Sequence, residues 1–268
     1  MRRIRAKWIV LGLLPLTIGA TYYDLKQNRA PGSWRQASRA SVGLAPDPAL
    51  APQAVVQVYA ARAVRWRGYF GVHTWIAVKR AQEQSYTVYE VMGWRLRRNG
   101  TSVVARERVP DERWYGNAPT LIAERRGDEV DELITRIEQA VLSYPYADTY
   151  HVWPGPNSNT FTAHVLREVP ELRADLPANA IGKDFLSAGF VARSPSGTGL
   201  QLNLYGLLGI MVGREEGLEL NLLGLTFGID PLDLALKLPL AGTLSAKRFL
   251  ETAAAREVQA TGDDDVEN

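Results

Sequence analysis

The chain has 268 residues, 46% hydrophobic and 22% charged, enough for an N-terminal appendage and one large domain with a real core. Its 31 basic and 29 acidic residues leave a net charge of +2, which gives no global reason to expect a nucleic-acid partner. The absence of cysteine excludes disulfides, a thiol nucleophile, iron–sulfur and zinc–thiolate sites, and a lipidated N-terminal cysteine.

Arg2, Arg3, Arg5 and Lys7 precede an uncharged apolar run, Trp8 to Ala20, which Tyr22 and Tyr23 border. A basic flank, an apolar run and an aromatic border predict a membrane-inserting segment over residues 1–23, with the flank in the cytoplasm and the remainder exported. The run is short against the ~20 residues that span hydrocarbon. A signal peptide cut at Gly19-Ala20 therefore competes with an uncleaved anchor, but Ile18 fits the small-residue rule at a cleavage site poorly. Residues 24–52 mix Gln, Asn, Ser and Ala with Pro46, Pro48 and Pro52, the composition of an extended tether.

Val55 to Val64 reads as a strand. Tyr69 to Lys79 interleaves Val72, Thr74, Ile76 and Val78 with His73, Trp75 and Ala77, and Tyr86 to Met92 alternates in the same way. Gly68, Gly71 and the polar turn 81–85 separate these runs, which predicts an antiparallel meander with Thr101 to Val109 as a fourth strand. Asp128 to Tyr144 carries Val130, Leu133, Ile134, Ile137, Val141 and Leu142 at three- and four-residue steps, a helix that Pro145 stops.

Next comes a turn framed by Pro154, Gly155 and Pro156, followed by Asn157-Ser158-Asn159-Thr160-Phe161. Asn157 and Ser158 are good N-cap types, so a helix is predicted over 160–168, ended by Pro170. The same position puts the Ser158 hydroxyl in a helix-terminal field that favours a nucleophile or an anion. From Gly199, the run Gly-Leu-Gln-Leu-Asn-Leu-Tyr-Gly-Leu recurs from Gly217, 18 residues on, as Gly-Leu-Glu-Leu-Asn-Leu-Leu-Gly-Leu. Two similar strands are expected there, with the alternation continuing through Leu232 to Leu240. This region reads as a β-extension packed on the core; the alternative is an apolar face that rests on a bilayer or holds a lipid.

No phosphate loop, dinucleotide fingerprint, metal-spaced histidines or G-x-S-x-G elbow is present, so neither metal nor cofactor is expected. Only His73, His151 and His164 offer imidazole. A serine needs a base, and the base an orienting partner, so His73 is the candidate base, Glu90 or Tyr89 its partner, and Ser158 the nucleophile. His151 is a rival base, and His164 reads as packing. Arg65-Trp66-Arg67 and Trp94 to Arg98 are basic with interleaved aromatics, read as solvated strand ends or, alternatively, as contacts for anionic headgroups.

The segment Tyr144 to Phe161, together with Gly71-Val-His-Thr-Trp75, resembles an uncharacterised bacterial family, the domain of unknown function 3750. More distantly, His73 with Trp75 is similar to the strand His-Trp pair of circularly permuted papain-like proteins of the NlpC and lecithin retinol acyltransferase groups, with one extra residue between them. Asn157 to Phe161 is similar to their Asn-Cys-x-x-Phe helix start, with Ser158 where the cysteine would be. That resemblance implies a permuted papain-like core with Ser158, His73 and Glu90 as the catalytic group and Asn157, Asn159, Trp75, His151 and Trp153 around the ligand. A serine needs stronger activation than a cysteine, so the site is either an acyl-transfer centre or a binding descendant of one.

The combined expectation is an α+β fold. It comprises an antiparallel sheet with packed helices over 53–188, a Leu/Gly-rich β-extension over 189–245, and a short helix and acidic tail over 246–268. The functional expectation is an envelope protein anchored in the bacterial inner membrane by one N-terminal helix, its globular part in the periplasm, acting on an amide or ester of peptidoglycan or lipid. The alternative is a non-catalytic module that binds a glycan, lipid or protein partner in the same cleft. No cofactor and no nucleic acid enter either reading.

Overall fold

Runs of Val, Tyr and Ile separated by glycines and polar turns pair into five antiparallel strands in the computed structural model, which describes residues 15, 17–23, 25, 26, 35–186, 189–247 and 250. They are β1 (Val55–Arg62), β2 (Val72–Lys79), β3 (Thr87–Val91), β4 (Val103–Glu107) and β5 (Thr120–Arg126), in the order β4-β3-β2-β1-β5. Helices α1 (Val130–Leu142) and α2 (Ser158–Glu168) cover one face of this sheet. There Val58, Ile76 and Val91 meet Ile134, Ile137, Phe161 and Leu166, all essentially inaccessible. The opposite face packs Tyr59, Trp75 and Val88 under Trp114. An α+β fold is therefore present, with the four expected strands in a meander. β5 adds an unforeseen edge: Thr-Leu-Ile-Ala-Glu-Arg-Arg is half-exposed along its length and shows no clean alternation.

A second antiparallel sheet of seven strands stands beside the first, in the order β12-β11-β10-β9-β8-β7-β6. Its strands are β6 (Val191–Arg193), β7 (Gly199–Leu204), β8 (Leu208–Gly213), β9 (Gly217–Leu222), β10 (Leu225–Asp230), β11 (Ala235–Leu238) and β12 (Gly242–Ser245). Each copy of the repeat supplies the first strand of a hairpin: Tyr205-Gly206 and Leu223-Gly224 take positive φ and turn the chain back, so the repeats yield four strands rather than two. The segment Leu232 to Leu240 is likewise broken by a turn before β11.

Register decides which way the alternation faces. Leu200, Val212, Leu218 and Ile229 lie opposite one another across β7 to β10. So do Leu202, Ile210, Leu220 and Phe227, and then Leu204, Leu208, Leu222 and Leu225. All but the half-buried Phe227 are exposed, while Gln201, Asn203, Glu219, Asn221, Thr226 and Lys237 on the other face are buried. The extension does pack on the core, but through its polar side. Lys237 Nζ meets Glu219 at 2.6 Å and Asp175 at 2.7 Å, and Lys183 Nζ meets Glu219 at 2.9 Å. The Nδ2 groups of Asn203 and Asn221, equivalent positions of the repeat, both donate to Asp184 Oδ2. Burial lowers Lys237 but the carboxylates of Asp175 and Glu219 outweigh it, so the ammonium is held above its ordinary pKa. Burial raises Glu219, yet the two lysines hold it below the usual carboxylate range. Paired charges of this kind are what permit a polar face to be buried.

Among the described residues no helix is long and apolar enough to cross a membrane. The expected anchor over 1–23 falls largely outside the described residues, as does most of the C-terminal stretch 246–268. The expected tether is not free throughout: Ser41 Oγ donates to Asp111 at 2.8 Å, Leu44 N–H donates to the same carboxylate at 2.6 Å, and Tyr86 OH donates to Pro46 O at 3.0 Å. The Asp111 carboxylate thus collects backbone and hydroxyl donors from residues 41–45, and Tyr86 holds Pro46.

Candidate functional site

The pairing of β2 with β3 runs only from Ile76↔Tyr89 to Val78↔Thr87, so Val72 to Trp75 extend beyond it and the two strands part. Side chains alternate along β2. Thr74 faces the helices, where its Oγ1 lies 3.1 Å from Asn159 Oδ1, 2.9 Å from Thr162 Oγ1 and 3.3 Å from Ser158 O. His73 faces the other way, across the fork, and its Nε2 lies 2.9 Å from Glu90 Oε2. The carboxylate also receives Arg106 at 3.1 Å, and the imidazole stacks on Trp114 with centroids 3.9 Å apart. Of the two expected partners, Glu90 is the one that meets His73. Tyr89, its rival, sits on the helix face with its hydroxyl toward Glu138.

The electrostatics define the pair's state. Burial lowers the His73 pKa and outweighs the Glu90 hydrogen bond and charge, which raise it. Burial raises Glu90, but the His73 hydrogen bond and charge, with Arg108 and Arg106, hold it below the usual carboxylate range. At neutral pH the pair is a neutral imidazole and a carboxylate. An ionised Glu90 can only accept, so Nε2 carries the proton and Nδ1 keeps its lone pair.

Helix α2 begins at Ser158 with Asn157 as its N-cap. Asn157 Oδ1 accepts from Asn159 N–H and Thr160 N–H, while Asn157 N–H donates to Thr160 Oγ1, a complete capping box. The Trp153–Pro154 and Gly155–Pro156 peptide bonds are cis. Asn157 Nδ2 donates to Val152 O and Ile181 O, and Asn159 Nδ2 donates to Val72 O and Ile181 O. Both asparagines therefore clamp three chain segments together, and their polar atoms are engaged inside the protein. Gly182 is required here: at φ +91° a Cβ would fall 2.6 Å from Asn157 Nδ2.

A cavity of about 790 Å³ opens at the fork, and His73, Ser158, Asn157, Asn159 and Trp153 all line it. The expected residues converge, with two corrections. Trp75 is fully buried, its indole N–H donating to Pro110 O at 2.8 Å, and does not reach the cavity; two residues further into the sheet than His73, it lies under Trp114 and the Arg108 guanidinium. His151 is exposed and absent from the lining, its backbone N–H held by Pro156 O. His164 bonds Ala140 O at 3.0 Å on the outer side of α2, as packing requires. The Ser158 hydroxyl makes no hydrogen bond to His73 or His151 among the described residues. Ser158 lies on the helix side of β2, its carbonyl oxygen 3.3 Å from Thr74 Oγ1, whereas His73 faces the other side of the strand.

Sequence reasoning missed Trp114, which lies in the loop between β4 and β5, far from either motif. The aromatic–basic clusters did carry a signal: Trp66, Arg67, Trp94 and Arg97 line the cavity together with Trp153. Leu223 and Leu225 of the second sheet complete it.

A family model described as "Protein of unknown function (DUF3750)" matches residues 53–185, the first sheet, both helices and the Ser158 helix start. No curated protein and no solved structure matches the chain.

Proposed function

We propose that this chain, which belongs to the DUF3750 family, is an acyl-transfer enzyme of the cell envelope that takes an amide or ester with an apolar acyl portion. One observation supports this above others: a single aromatic-walled cavity is shared by a buried His73–Glu90 pair with an unprotonated Nδ1 and by Ser158 at a capped helix start. In this reading Ser158 Oγ attacks the acyl carbonyl and passes its proton to His73 Nδ1. His73 then protonates the departing alcohol or amine, and water releases the acyl group from Ser158. Glu90, itself held by Arg106, fixes the tautomer and stabilises the imidazolium. The α2 N-terminus favours the oxyanion. Walls of Trp66, Phe70, Trp94 and Trp153 favour a lipid acyl chain over a peptidoglycan stem. The N-terminal segment would hold the protein at the inner membrane with this cavity on the periplasmic side.

The second reading is a binding module for a lipid, glycan or protein partner, favoured by the placement of Ser158 and His73 on opposite sides of β2 and the missing bond between them. A fluorophosphonate probe separates the two. The enzyme reading expects one covalent adduct per chain at Ser158, lost in Ser158→Ala and slowed about 100-fold or more in His73→Ala. Absence of an adduct in wild-type protein that still retains a lipid in the cavity establishes the binding module.

A further inference from the structure

Among the described residues nothing covers the leucine face of the second sheet. Its three cross-strand rows contain no charge over β7 to β10, and the sheet buries its polar side instead. We infer that this face docks flat on the surface of a lipid bilayer, so that the cavity opens directly at the lipid interface.

Three observations select a bilayer as the occupant. The face is continuous with the cavity: Leu225 belongs to its last row, Leu223 to the adjoining turn, and both line the mouth, where Trp153 Nε1 donates to Leu223 O at 3.0 Å. The cavity lining also carries the exposed Trp66 and Trp94, close in sequence to Arg67 and Arg97, which line it too. Amphipathic rings beside long cationic side chains suit the headgroup layer, and the cations complement anionic lipids. Arg193, opposite Leu200 at the sheet's margin, adds a further cation beside the apolar rows. Finally, the sequence that precedes the described domain is itself basic and then apolar over Arg2 to Ala20, so the chain carries a second element of membrane character. A second copy stacked on the same rows would instead cover Leu225 and obstruct the mouth. The inference stands whether Ser158 is a nucleophile or not.

Because the chain contains no cysteine, single-cysteine variants of the full chain carry one unambiguous fluorophore each. Ile210→Cys and Leu220→Cys report on the face, and Gln84→Cys, in the exposed β2–β3 turn, serves as the control. Each is bound to vesicles of phosphatidylethanolamine and phosphatidylglycerol, with flotation used to confirm association. Docking predicts that the first two labels are quenched several-fold more strongly by nitroxide-bearing lipid than by aqueous iodide, with the reverse at Gln84→Cys. Iodide-dominated quenching at all three positions overturns the inference. So does shielding of Ile210→Cys from both quenchers, the signature of a contact between two copies, and so does failure of the full chain to float. Replacing phosphatidylglycerol by phosphatidylcholine is expected to weaken the lipid quenching at the two face positions; an unchanged value would remove the arginine part of the argument.

Discussion

The two sheets solve burial in opposite ways. The first hides Val, Ile and Trp on both faces and admits one buried acid–base pair, His73–Glu90, at the fork where its strands part. The second hides Glu219, Lys237, Gln201 and two asparagines and turns the leucines of β7 to β10 outward. Their buried carboxylates differ accordingly. Glu90 bonds a histidine that lines the cavity, whereas Glu219 is held between two lysines away from that cavity. One pair borders open space; the other ties buried polar surfaces together.

The largest expected effect tests the second arrangement. Glu219→Ala leaves Lys183 and Lys237 without their shared carboxylate and is expected to cost about 3–5 kcal/mol in urea unfolding. In the first sheet the corresponding test is functional: Glu90→Gln keeps an acceptor but removes the charge, and a probe-labelling rate at Ser158 is expected to fall about 100-fold. Because Glu90 raises the His73 pKa, the acid limb of that rate should also move to lower pH. A smaller effect concerns stability against pH. Burial holds His73 and His164 below the ordinary value, so the unfolded chain takes up protons first as pH falls. Their contribution is full above about pH 6.5 and declines below it. His73→Gln should flatten that decline by up to about 1.4 kcal/mol per pH unit. The smallest effect makes the sharpest contrast. Leu220→Ala, one residue from Glu219, should change stability by no more than about 0.5 kcal/mol, because its side chain is already half in solvent. A loss of several kcal/mol there would mean that the leucine face is packed in the free protein.

Much of the first sheet was legible because alternation and helical periodicity coincide with burial: Ile76 and Val78 point inward as their pattern predicts, and so do Ile134 and Ile137. The same logic misled in the second sheet. Alternation shows that a strand has two kinds of face, but which one turns inward depends on what the core offers. Here the core offers Asp184, Lys183 and Asp175, partners distant in sequence that make a polar face the inner one. The extra hairpins were hidden because Tyr205 and Leu223, not Asn or Asp, precede the turn glycines. At the cavity, the proximity of His73 and Glu90 and the place of Ser158 at a helix start follow from residue type and order. Trp75 neighbours His73 in the strand but does not line the cavity, and Trp114 leaves no local trace in the sequence.

The segment Ile181 to Asp184 ties these regions together. Ile181 O accepts from Asn157 and Asn159 at the start of α2, Gly182 O accepts from Thr160 Oγ1, Lys183 grips Glu219, and Asp184 receives Asn203 and Asn221. Four successive residues thus splice the helix start to the leucine sheet. The cavity takes walls from both sides of that splice, so hinging of one sheet on the other would have to break these bonds before it could change the width between them.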